Sequence, residues 1–324
     1  MTDELPPRSL PAPFDGMLRA RRPTGIVMAL VVVVLSGIVL SLPAIAQAIA
    51  FAADAIATGV RPDRAALVAA FGGPGGTLLG LFSFALAALL ILLWVRVKER
   101  RPISSLGFAG GARRATGQAL RGAALALAMM LVCVIVPVVS GDAALTWTAP
   151  RLGIAGIGFV LLMLLGFLLQ GSTEELVTRG FLSQAVARRW GLIAAAAVQT
   201  VVFAALHGAN TGMGVLPFVN LLLFALFAFG VAFSDGALWG ICAFHGVWNW
   251  AQGNLFGVAV SGNAAGDSVF GFIPADGSAA LLTGGTFGIE GSIVTTLVYL
   301  AGIGLVLARL RRSRRGALPL PLPA

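Results

Sequence analysis

Apolar runs long enough to cross a bilayer recur along this chain, and the short segments between them are rich in arginine. Such runs cover 26–50, 78–95, 119–139, 152–169, 192–207, 215–233, 237–256 and 292–307. Crossing a bilayer takes roughly 20 mostly apolar residues per helix, because every backbone polar group must be satisfied inside the segment. With 58% of the 324 residues hydrophobic and 11% charged, a soluble domain of this size would lack charged surface. The fold class expected is therefore all-α, a polytopic transmembrane helical bundle of about eight spanning helices.

The arginines set the orientation. Arg8, Arg19, Arg21, Arg22, Arg96, Lys98, Arg100, Arg101, Arg113, Arg114, Arg121, Arg188, Arg189 and the five arginines from Arg309 to Arg315 fall on one side of an eight-helix arrangement. Only Arg61, Arg64 and Arg151 fall on the other. By the positive-inside rule both termini are cytoplasmic. The net charge of +9 is thereby explained by headgroup-facing clusters, and nucleic acid is not an expected partner.

Three regions follow. Residues 1–25 read as a disordered basic tail, residues 26–308 as a single membrane-embedded domain, and residues 309–324 as a basic, Pro-rich tail. Ala44, Ala46 and Ala48 imitate a signal-peptidase site, but the long first apolar run reads as an uncleaved anchor. Asp54, Arg61, Asp63 and Arg64 read as a polar loop, and 257–285 as a long Gly-rich loop. Cys133 and Cys242 lie inside apolar runs and read as packing residues.

Against this background a few ionisable and amide side chains stand out within or beside the spans: Glu174, Glu175, Arg179, His207, His245 and Asn249. The chain has two histidines, and both are in this set. A charged group at membrane depth costs at least ~2.5 kcal/mol on insertion scales and marks a functional site by default. Glu175 and Arg179 share a helical face four residues apart, as do His245 and Asn249. If the fourth helix continues to a turn near Trp190, Glu174 and His207 stand at nearly the same height, about 25 Å from that turn. Three helices then converge on one polar pocket. Interhelical hydrogen bonding alone, or a proton or ion pathway, remains open on these residues.

Glu174-Glu175-Leu-Val-Thr-Arg179, Phe203-Ala-Ala-Leu-His207 and His245-Gly-Val-Trp-Asn249, in that order on successive helices, resemble the motifs of the CPBP family of intramembrane endopeptidases, the CAAX proteases and bacteriocin-processing or Abi proteins. The resemblance covers about 152–256. Softer likenesses lie in Ser105-Leu106-Gly107-Phe108 and in the stretch from Gly284 to Ser292, where Glu290 reads as a cap or anchor of the last helix. The resemblance implies peptide hydrolysis by an activated water. Glu174 would be the general base and His207 would share the water. His245 and Asn249 would stabilise the oxyanion, with Glu175, Arg179 and Phe203 supporting them.

A Ser or Cys nucleophile with a paired base is not apparent, which favours attack by water. Zinc on Glu174, His207 and His245 is conceivable, but the helical His-Glu-x-x-His pattern is missing and a metal-free site is favoured. The implied setting is a multi-pass protein of the inner or plasma membrane, with membrane lipids and a membrane-associated peptide or protein as partners. The scissile bond is expected near the cytoplasmic face. A non-catalytic immunity or scaffold protein and a proton-coupled transporter are the alternatives.

Overall fold

A computed structural model describes residues 9–71, 74–264 and 266–316. Each apolar run forms a helix. In chain order the helices are α1 (Ile26–Thr58), α2 (Arg64–Phe71), α3 (Pro74–Leu93), α4 (Ala112–Val139), α5 (Ala149–Glu175), α6 (Ser183–Trp190), α7 (Leu192–Leu206), α8 (Val215–Asp235), α9 (Trp239–Trp250), α10 (Ala280–Thr283) and α11 (Ile293–Gly316). Among the described residues, six helical stretches are long and apolar enough to cross a membrane: Ile26–Thr58, Gly75–Glu99, Ala112–Val139, Gly153–Trp190, Val215–Asp235 and Ile293–Arg312. The protein is thus a mostly helical, multi-pass bundle. Of the eight predicted spans, the fifth and seventh are shorter, at 15 residues in α7 and 12 in α9, although a π-helical turn at Ala251–Leu255 extends α9.

Helix α9 is the hub, packed against α4, α5 and α8, with α1, α3 and α5 on one flank and α11 beside α8 on the other. Small residues allow this proximity, as membrane helices lack a strong hydrophobic drive to associate. A Cβ on Gly122 of α4 would overlap the carbonyl of Gly240 in α9, and one on Gly171 of α5 would stand 2.7 Å from the amide of Gly246. Cys133 and Cys242 are buried free thiols.

Several expectations are corrected. The fold is not purely α: β1 (Ala143–Trp147) pairs antiparallel with β2 (Phe270–Pro274), Ala143 opposite Pro274 and Trp147 opposite Phe270. The ribbon pairs the backbone groups of two interhelical loops, where no helix satisfies them. Helix α1 runs on through Asp54 to Thr58 and stops at Gly59, whose left-handed φ of 68° suits a glycine C-cap. The loop placed at Asp54 therefore begins later.

The terminal regions also differ. Residues 1–8 of the expected basic tail lie outside the described residues, but 9–25 are not disordered. Phe14 and Met17 are fully buried, Phe14 stacks on Phe229 at 4.4 Å, and Pro13 accepts a 2.6 Å hydrogen bond from Gln184. Thr24 donates to Glu99, which pairs with Arg101 at 2.6 Å in a wholly buried contact. Aromatic burial and these charge-assisted bonds outweigh the ordering entropy of a Pro/Arg-rich stretch. At the other end α11 carries the chain to Gly316, so 309–316 is helix, and the Pro-rich remainder lies outside the described residues.

The softer motifs also have structural roles. Arg101 binds the Ser105 hydroxyl at 3.0 Å and Gln184 Oε1 at 2.5 Å, and Gly107 accepts the Leu238 amide at 2.9 Å. Glu290 does not cap α11; Ser292 Oγ does, accepting the Thr295 amide at 3.2 Å. Instead Glu290 accepts from Trp248 Nε1 at 3.2 Å, and from the Ser261 amide and hydroxyl at 2.8 and 2.7 Å. It fastens the 257–264 loop, in which Ser261 has a left-handed φ of 46°.

Candidate active site

The α5 helix does not break at the polar stretch. It passes through a π-helical turn, Leu176–Leu182, into α6 and ends at Gly191 before α7 folds back. A π turn inserts one residue per turn and shifts the faces beyond it, a distortion often found at functional sites. Arg179 lies within it, fully buried, and pairs with Glu175 at 3.1 Å. The guanidinium also donates to Thr178 Oγ1 at 2.7 Å and to the Ala225 carbonyl at 3.3 Å, and sits 4.6 Å from the Phe203 ring centre. These contacts join α5, α7 and α8 around one desolvated charge pair.

Glu175 Oε1 also accepts from His245 Nδ1 at 2.9 Å, while His207 Nδ1 donates to the Phe203 carbonyl at 2.8 Å. Both acceptors lack protons to give, so each ring carries its hydrogen on Nδ1 and, when neutral, presents a lone pair at Nε2. Both Nε2 atoms stand 3.8 Å from the same atom, Glu174 Oε2. That distance is too long for direct hydrogen bonds. A water in that space has two O–H groups and can donate to two of these three acceptors. The hairpin argument thus brings Glu174 and His207 together, and α9 adds His245.

One residue of this cluster is absent from the set expected from sequence. Gln170, a turn before Glu174 on the same face, donates to Glu174 Oε1 at 3.2 Å and accepts from Asn249 Nδ2 at 3.2 Å. It links the carboxylate to Asn249. Its signal is an amide between the apolar run ending at Leu169 and the polar stretch starting at Gly171.

Glu174, His207, His245, Asn249 and Gln170 line a cavity of about 760 Å³ that also touches α1, α3 and the 257–264 loop. Phe224 packs edge-on against His245, ring centres 4.7 Å apart, and lies eleven residues before Asp235, the end of α8. That is about 16 Å along a helix of roughly 31 Å. The cluster is therefore level with the middle of α8. Among the described residues no group of three or more His, Cys, Asp or Glu side chains is placed to hold a metal ion. The set Glu174, His207 and His245 does not close to a chelating geometry.

Residues 156–251 match the family model described as Type II CAAX prenyl endopeptidase Rce1-like. The chain carries an Rce1-like CAAX endopeptidase domain. This domain, of a peptidase family, begins within α5 and ends with α9, so it contains every residue of the polar cluster. Helices α1–α4 and α11 and the β-ribbon lie outside the matched stretch. No curated protein and no solved structure matches the chain. The Rce1-like domain thus coincides with the part of the bundle in which the Glu and His side chains of the cluster are gathered.

Proposed function

We propose that this protein is an intramembrane endopeptidase that hydrolyses a peptide bond of a membrane-associated peptide or protein with a water activated by Glu174 and His207. The observation that carries this reading is the convergence of His207 Nε2 and His245 Nε2 on Glu174 Oε2, each at 3.8 Å. A water in that space donates one proton to Glu174 and one to His207. Its oxygen attacks the carbonyl carbon as Glu174 takes the proton, which Glu174 then delivers to the departing amide nitrogen.

The tetrahedral oxyanion needs donors already in place. Asn249 has an N–H beyond the one given to Gln170. His245 provides one from Nε2 when doubly protonated, with Glu175 against Nδ1 compensating its charge. Glu175, Arg179 and Phe203 are positioning residues: Glu175 and Arg179 hold His245 and the hairpin from behind the cavity wall, and Phe203, in that wall, packs against His207 and accepts its Nδ1 hydrogen bond. In this reading all eight apolar helices span the plasma membrane, with both termini cytoplasmic, as the arginine distribution supports. The cluster lies level with the middle of α8, and the substrate enters the cavity from the bilayer or its surface.

The test compares peptide termini in cells carrying wild type or Glu174→Gln. The isosteric amide keeps the Gln170 contact but cannot take the proton, so at least one terminus disappears. Rates fall by about 10²–10⁴ for loss of a positioned base. An unchanged set of termini, or proton flux in proteoliposomes that the variant abolishes, refutes the reading.

A further inference from the structure

Away from the catalytic cavity, a second concave site lies where α4 begins and α8 and α11 end. Arg113, Arg114, Gln118, Arg121, Asp235 and Arg309 surround a space of about 450 Å³. We infer that this space binds a phosphate-bearing anion, the headgroup of an anionic phospholipid at the membrane interface.

The site is organised by one buried residue. Asp235 is 6% exposed; its carboxylate receives Arg309 at 2.8 Å and Arg121 at 3.4 Å. Its carbonyl receives Arg114 at 2.7 Å and Gln118 at 2.9 Å. Helices distant in sequence thus direct guanidinium groups into one cleft. Among the described residues lining the space, four arginines face one carboxylate, an excess of positive charge. A self-contained ion pair has no use for such an excess, whereas a phosphate monoanion accepts paired N–H bonds from several guanidinium groups at once.

A second observation sharpens the chemistry. Gln118 is 4% exposed, and its Oε1 has no hydrogen-bond partner among the described residues. A buried acceptor left unpaired is costly. A ligand hydroxyl would satisfy it, so a phosphoglycerol headgroup, with both phosphate and hydroxyl, fits better than phosphate alone.

The placement suits a lipid. The start of α4, the end of α8, and the Arg101–Gln184 network lie at one end of the bundle, joined by the Gly107–Leu238 bond and by Arg114 on Asp235. This is the arginine-rich end, where anionic headgroups are attracted most strongly.

The test uses the full chain in detergent, with phosphatidylglycerol or phosphatidylcholine added and retained lipid read by native mass spectrometry. Wild type should prefer phosphatidylglycerol. Arg113→Gln with Arg121→Gln should cut that preference roughly tenfold or more, at about a surface charge's worth of attraction per arginine. Both side chains are exposed, and an unchanged unfolding temperature confirms that the variant folds. Arg188→Gln with Arg189→Gln, at the same end of the bundle, should leave the preference intact. In a lipid-free arm, thermal stabilisation by inorganic phosphate that the first variant abolishes, without any lipid preference, assigns the site to a soluble phosphate and overturns the lipid assignment. Equal loss in both variants, or no anion effect in either arm, overturns the inference as a whole.

Discussion

Replacing Arg179 by Met tests whether the buried charge pair holds the polar cluster together. The change removes the 3.1 Å contact to Glu175, the bonds to Thr178 Oγ1 and the Ala225 carbonyl, and the guanidinium over Phe203. Both partners are wholly buried, so Glu175 would be left with only His245 beside it. Breaking a buried pair by removing one member costs about 3–5 kcal/mol, mostly the penalty of the stranded charge. Adding Glu175→Gln removes that stranded charge while leaving an oxygen to accept from His245 Nδ1. The double variant should therefore be more stable than Arg179→Met alone, with a coupling energy near the upper end of the usual range, about 2–3 kcal/mol. Equilibrium unfolding in mixed micelles, followed by tryptophan fluorescence, measures all four corners of the cycle. Additive effects of the two substitutions, or a cost below about 1 kcal/mol for Arg179→Met, would show that the pair does not act as a unit.

Other outcomes rest on particular contacts. Gly122→Ala places a methyl group into the Gly240 backbone, which cannot yield as a flexible side chain would, and should cost about 1–3 kcal/mol or more by overpacking. Gly304→Ala, where an added Cβ meets nothing, should be neutral or stabilise α11 by up to about 1 kcal/mol in the same unfolding assay. Glu290→Gln weakens the bonds that hold Ser261, so hydrogen exchange at the 257–264 amides should accelerate while exchange in α4 stays unchanged. Gln170→Leu severs Glu174 from Asn249 and should lower the yield of the Glu174-dependent terminus by roughly tenfold, with normal unfolding. A yield equal to wild type would remove Gln170 from the site.

The membrane class, the positions of the helices and much of the polar cluster are legible in the amino-acid order. They follow from local rules: apolar run length against bilayer thickness, and a helical rise of about 1.5 Å per residue. That rise allows the Glu174–His207 register to be calculated across the turn. Spacing alone puts Glu175 with Arg179, and His245 with Asn249, on common faces. Lateral packing obeys no such local rule, because it depends on which surfaces fit one another across long separations in the chain. Packing therefore settles that His245 divides its two nitrogens between Glu175 and Glu174, and that Gln170 bridges Glu174 to Asn249. It also makes Phe14 the anchor of a segment whose composition suggests disorder, and pairs two loops as a β-ribbon. The arginines divide in the same way. Their clustering between apolar runs is legible in their order, but their gathering around Asp235 requires α4, α8 and α11 to meet.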